Sequence, residues 1–137
     1  MLPLLLKFAG LLLIFLSLFH AFLGKRFNWN EELARLSLLN RQIFLVHCFF
    51  IALVVGLMGA LALLYTEELL HPSPLGKVVA GGLALFWATR LIFQWFVYDS
   101  ALWRGHRFNT VMHIAFSGLW IFLTGVFGWT FAAQLAQ

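Results

Sequence analysis

The sequence predicts an all-α integral membrane protein: a four-helix bundle with a short interfacial amphipathic helix between helices 1 and 2. Hydrophobic residues make up 63% of the chain and charged residues only 10%, whereas soluble domains are about 45–50% apolar and about 25% charged. The apolar residues also fall into four long continuous runs, without the alternation of barrel strands. We therefore expect one transmembrane domain over residues 1–137, with lipid as its solvent.

Each apolar run has the length that a spanning helix needs. A helix crosses about 30 Å of hydrocarbon with roughly 20 residues, and lipid admits only structures that satisfy their own backbone. The first run lacks a small-residue cleavage site, so we expect a retained helix and not a signal peptide. The predicted helices cover residues 4–24, 41–65, 77–98 and 110–132.

The link between the first two helices, residues 25–40, is predicted to form a short amphipathic helix on the membrane surface. Asn28 and Glu31 have the spacing of a capping box at its start. Trp29 and Leu33 belong to the apolar face that can enter the interface.

Lysine and arginine counts predict the orientation of the chain. With four crossings, the first and third links share one side of the membrane. Cytoplasmic links carry the excess of lysine and arginine, so the side with more basic residues is predicted to be the cytoplasmic one. We expect a multi-pass protein of the bacterial-type inner (plasma) membrane with both termini outside, and Trp103 near the inner interface. The basic residues of the first and third links are Lys25, Arg26, Arg35, Arg41, Arg104 and Arg107; the other side carries Lys7 and Lys77.

The net charge of +4 does not indicate nucleic-acid binding, because the charges lie in short links and do not line one face. Membrane lipids are the expected partners, and four spans are a common size for a homo-oligomer or a subunit of a membrane complex.

Polar residues inside the predicted helices are the candidate site, because burial in lipid is costly for them. At ~1.5 Å per residue, Arg90, Gln94 and the three histidines of the helices lie ~5 Å to ~12 Å from the helix midpoints, all in the cytoplasmic leaflet. Arg90, Gln94 and Tyr98 recur at i, i+4 and i+8, along one stripe. The site residues are His20, His47, Arg90, Gln94, Tyr98 and His113.

A membrane redox subunit is the function that these residues favour. Two histidines at similar depth on different helices can ligate a b-type haem, and His20, His47 and His113 offer three pairs. Arg90 or Arg41 can neutralise haem propionates. A quinone can instead use the histidines, Arg90, Gln94 and Tyr98 as hydrogen-bond partners. Trp87 and Trp120 are expected to pack, or to flank a flat cofactor.

Two other functions stay open. His20, His47 and His113 can hold a metal ion with an open position, as in a metal-dependent membrane enzyme acting on a lipid or prenyl substrate. No H-E-x-x-H motif is present, and no catalytic residue is assigned. The polar stripe can also line a path or a contact in a small oligomeric transport or assembly subunit. The absence of an intramembrane acid argues against a proton-driven antiporter.

Overall fold

The computed structural model describes residues 1–136, and these residues are folded entirely into helices and links. Four long α-helices alternate with short helical turns. The elements in chain order are α1 (Leu2–Arg26), α2 (Trp29–Glu32), a 3-10 turn (Leu33–Arg35), α3 (Leu38–Leu64), α4 (Thr66–Leu70), α5 (Pro74–Phe96), a second 3-10 turn (Ser100–Leu102) and α6 (Arg107–Leu135).

Helices α1, α3, α5 and α6 are long and apolar enough to cross a membrane, with 25, 27, 23 and 29 residues. The predicted all-α class, the four apolar helices and a short helix between the first two are confirmed. All four of these helices begin two or three residues earlier than predicted. A helix begins where its backbone hydrogen bonds begin, and hydropathy alone does not mark that residue.

The segment between α1 and α3 is helical for less of its length than the sequence predicts. The predicted capping box is wrong: Asn28 precedes α2 but has a left-handed backbone (φ 50°), and its side chain makes no capping bond. A side-chain cap needs an extended backbone at that residue. Ser37 instead caps α3, where its hydroxyl accepts the Asn40 amide at 3.3 Å. This cap starts the second spanning helix and so ends the link.

The contacts of the chain define two compact units, and residues 6–66 form one of them. In this unit α1 and α3 meet where two glycines face each other. A Cβ added to Gly10 would lie 2.8 Å from the carbonyl oxygen of Gly59, and one added to Gly59 would lie 2.8 Å from that of Gly10. Ser17 donates a hydrogen bond of 2.6 Å to the carbonyl of Ala52. Small residues thus allow close backbone approach, as is usual for helix pairs in lipid.

The other unit comprises residues 1–5 and the chain from Glu67 onward, and it contains α5 and α6. Gln134 is completely buried near the end of α6. Its amide nitrogen donates to the carbonyls of Leu69 (2.6 Å) and His71 (2.8 Å), and its oxygen accepts the Ser73 amide at 3.2 Å. These bonds satisfy backbone groups that the short turn before α5 cannot pair internally. Gln134 thereby joins the end of α6 to the turn before α5, at the end of the pair opposite the candidate site.

Candidate cofactor site between α5 and α6

Gln94 of α5 is the centre of a polar network in this unit. Its side chain is only 7% exposed. The amide oxygen accepts hydrogen bonds from Arg90 Nη1 at 3.3 Å and from Trp120 Nε1 at 3.2 Å. The amide nitrogen lies 2.9 Å from Nδ1 of His113. Arginine and tryptophan side chains can only donate, so their two bonds identify the amide oxygen and leave the nitrogen to face His113.

The orientation of the amide determines the tautomer of His113. The Gln94 nitrogen is a donor, and therefore the Nδ1 atom of His113 accepts and carries no proton. The single proton of the neutral ring is then on Nε2. The ring is also stacked on Trp103, with centroids 3.9 Å apart and planes 14° apart. This network presents His113 as a hydrogen-bond donor.

Arg90 combines one hydrogen bond with two aromatic neighbours. Its guanidinium carbon lies 4.9 Å from the ring centroid of Trp120 and 5.6 Å from that of Tyr98. Such contacts are worth about 0.5–2 kcal/mol, depending on desolvation. The sequences of the four candidate spans contain no aspartate or glutamate. The positive charge in α5 is therefore balanced by dipoles and ring faces, without a carboxylate from any span.

Tyr98 reaches the site by a route that the helical period did not predict. The predicted stripe at i, i+4 and i+8 requires α5 to continue to Tyr98, but the helix ends at Phe96. The Tyr98 ring is exposed, yet it remains within cation–π distance of Arg90. The prediction of proximity is confirmed for this pair, although its assumed helical geometry is wrong.

The link from α5 to α6 holds Trp103 against His113. Asp99 accepts the Ala101 amide at 2.8 Å and so starts the 3-10 turn. The hydroxyl of Thr110 donates to the carbonyl of Trp103 at 2.8 Å. Gly105 has a φ of +82°, a conformation that favours glycine. These local bonds return the chain to α6 with the Trp103 ring over the imidazole.

A layer of aromatic rings continues the site towards the middle of the helices. Trp87 stacks on Trp120 with centroids 5.1 Å apart, and Phe116 stacks on the same indole at 5.6 Å. Trp87 is 1% exposed, and its indole nitrogen has no hydrogen-bond partner among the described residues. The hydroxyl of Thr124, one turn after Trp120, is also buried without a partner there. The sequence indicated Trp87 and Trp120 as packing residues, and only the cross-helix contacts reveal that Trp120 bonds Gln94.

His20 and His47 belong to the other compact unit, on α1 and α3. Nδ1 of His20 lies 2.7 Å from the carbonyl oxygen of Leu16, and Nδ1 of His47 lies 2.8 Å from that of Ile43. A carbonyl can only accept, so both Nδ1 atoms carry the proton and both Nε2 atoms have a lone pair. His47 is exposed and His20 is half-buried. Their tautomer is thus the opposite of that of His113.

The structure brings together four of the six predicted site residues, namely Arg90, Gln94, Tyr98 and His113. Within residues 1–136, no group of three or more histidine, cysteine, aspartate and glutamate side chains is placed to hold a metal ion. Comparison of the chain with protein families, with curated proteins and with solved structures finds no match. The chemistry of the site therefore has to be inferred from its own residues.

Proposed function

We propose that this chain is a quinone-binding subunit of a membrane redox system, with its quinone site at Arg90, Gln94 and His113. The observation that carries the proposal is the set of hydrogen-bond donors flanked by aromatic rings within a candidate spanning pair. An intramembrane arginine is expensive to bury and marks a functional position by default. The excess of basic residues on the first and third links supports placing this cluster in the cytoplasmic leaflet.

A quinone matches the site in three respects. Its carbonyl oxygens are acceptors for the Nε2 proton of His113 and for the guanidinium protons of Arg90. Its flat ring can stack on the half-buried indole of Trp103, which also covers His113. Its isoprenoid tail is soluble in the lipid around the helices. Gln94 acts as the positioning residue, because it orients both the guanidinium and the imidazole.

Quinone binding can be measured with the protein in phosphatidylcholine nanodiscs. We expect a short-chain ubiquinone or menaquinone analogue to quench the fluorescence of Trp103 and Trp120 in a saturable manner. Arg90→Leu removes the charged donor and should weaken binding by about tenfold or more, as for the loss of one charged hydrogen bond. Thr89→Val is the matched control, because Thr89 is exposed and bonds only its own helix, at the Leu85 carbonyl. Equal quinone affinities of Arg90→Leu and Thr89→Val would show that the quinone does not bind at Arg90.

A b-type haem held by His20 and His47 is the second candidate function, and the protonation of these two rings favours it. A haem ligand needs an unprotonated ring nitrogen, and its other nitrogen commonly donates to a backbone carbonyl. Both rings have this arrangement. His113 has the opposite one, so ligation through its Nε2 would require the Gln94 network to rearrange.

The haem candidate is tested by a dithionite-reduced minus air-oxidised spectrum of the detergent-purified protein. A sharp Soret and α band that is lost in His20→Ala or His47→Ala, and kept in His113→Ala, is the expected result. Loss of the bands only in His113→Ala would contradict the assignment from the tautomers.

A further inference from the structure

At the proposed site of Arg90, Gln94 and His113, the side-chain acceptors already have hydrogen-bond partners, whereas most of the donors of Arg90 and His113 do not. The Gln94 oxygen already accepts two bonds, and Nδ1 of His113 already accepts one. Among the described residues, the guanidinium of Arg90 uses one of its five N–H groups. The Nε2 proton of His113 adds a further donor without a described partner.

The site also carries a positive charge that no carboxylate of the spans balances. Arg90 supplies a guanidinium cation, and the four candidate spans supply no aspartate or glutamate. Asp99 is the acidic residue that follows α5 most closely in the chain, and its carboxylate accepts the backbone amide of Ala101. The face of Trp120 on Arg90 attracts the cation but offers no lone pair for a hydrogen bond.

We propose that the site selects a ring ligand whose head group is an anion, such as an enolate, over a neutral ligand of the same skeleton. This inference rests on the proposed quinone-type function and specifies its substrate class. An anionic oxygen accepts hydrogen bonds from these donors and also neutralises the guanidinium. A neutral carbonyl accepts the hydrogen bonds but leaves the positive charge unbalanced. The aromatic surroundings lower the local dielectric and strengthen that difference.

Two naphthoquinones that share the same rings and differ in charge test the effect of the ligand charge on binding. At neutral pH, 2-hydroxy-1,4-naphthoquinone is an enolate anion, whereas 2-methoxy-1,4-naphthoquinone has the same rings and no charge. Their affinities for the full chain are measured in zwitterionic phosphatidylcholine nanodiscs, and partitioning into empty nanodiscs is subtracted. We expect the hydroxy compound to bind about tenfold or more tightly, because one charge pair in a partly desolvated site exceeds that free energy.

Arg90→Gln tests whether the arginine causes the preference. It keeps hydrogen-bonding groups but removes the charge, so the ratio of the two affinities should fall towards one. Lys77→Gln is the matched control, because Lys77 is a cation in the first turn of the same helix. Its substitution should leave the ratio unchanged. Should Arg90→Gln fail to fold, the ratio in the unsubstituted protein and in Arg90→Lys, which retains the charge, still decides the matter.

Each outcome has one meaning. A preference for the anion that disappears in Arg90→Gln and persists in Lys77→Gln is the expected result. Equal affinities, or tighter binding of the methoxy compound, would overturn anion selection and leave the quinone site standing. A preference that survives in Arg90→Gln would overturn the role of the arginine. No specific binding of either probe would overturn the proposed function together with this inference.

Discussion

Replacement of Gln94 by leucine is the most direct perturbation of the α5–α6 network. Leucine has a similar size, so the packing of the two helices changes little. The substitution removes the acceptor for Trp120 and Arg90 and the donor to His113, three hydrogen bonds in all. Because Gln94 and Trp120 are 7% and 4% exposed, the indole N–H cannot turn to solvent.

The expected loss in the free energy of unfolding depends on whether each former partner of Gln94 can form another hydrogen bond. Arg90 and His113 are half-buried, so each bond is assigned the average of about 0.6 kcal/mol measured between helices in membranes. The buried N–H of Trp120 is left unsatisfied, which costs about 1–3 kcal/mol. The free energy of unfolding should therefore fall by about 2–4 kcal/mol.

The assay is reversible unfolding in mixed micelles, followed by helical circular dichroism. Thr89→Val, on the exposed side of the same helix, should change the free energy of unfolding by less than about 0.5 kcal/mol. Gln94→Glu provides a second comparison. Its carboxylate can accept from Arg90 and Trp120, and His113 can move its proton to Nδ1 and donate. We expect Gln94→Glu to cost less than Gln94→Leu. If Gln94→Leu is as harmless as Thr89→Val, or milder than Gln94→Glu, the network does not stabilise the pair as argued.

Three further predictions concern the other parts of the chain. Gly59→Ala should destabilise the α1–α3 unit by about 1–3 kcal/mol through overpacking, whereas Gly118→Ala, where nothing lies within 4 Å, should be neutral or stabilising; equal effects would contradict the close contact. Gln134→Leu should cost about 2–4 kcal/mol in the same unfolding assay, since it leaves one buried and two partly buried backbone groups without their partner; an unchanged midpoint would refute this role of Gln134. Ser100→Cys in a Cys48→Ala background should resist a membrane-impermeant maleimide in intact cells and react after permeabilisation, because the third link is predicted to be cytoplasmic; labelling of intact cells would invert the topology.

The meeting of two of the three residues of the proposed site could be predicted from the helical period alone. Arg90 and Gln94 are one turn apart, so they share a face of any helix that contains both. Their bond of 3.3 Å confirms that prediction. The same period was misleading for Tyr98, because the helix ends at Phe96. Hydropathy cannot distinguish a last helical turn from an apolar residue just beyond it.

The protonation of the histidines was not available from the sequence. His20, His47 and His113 appeared equivalent, as three rings inside apolar runs at similar depth. The structure separates them, because the first two donate to a carbonyl of their own helix and the third accepts from a glutamine of another. A tautomer depends on the one atom within about 3 Å of each ring nitrogen, and that atom is a tertiary property.

The sequence by itself determined that this chain is all-α, with four spanning-length apolar helices and a polar stripe on the third of them. It could do so because a lipid solvent requires long uninterrupted apolar runs, and because residues one turn apart share a face. Only the tertiary structure decided that Gln94 meets His113 and Trp120, and that Trp103 covers the imidazole. Those meetings depend on the rotation of α5 and α6 about their own axes and on the path of the link between them. No local period encodes that rotation, since every face of an apolar helix is compatible with lipid.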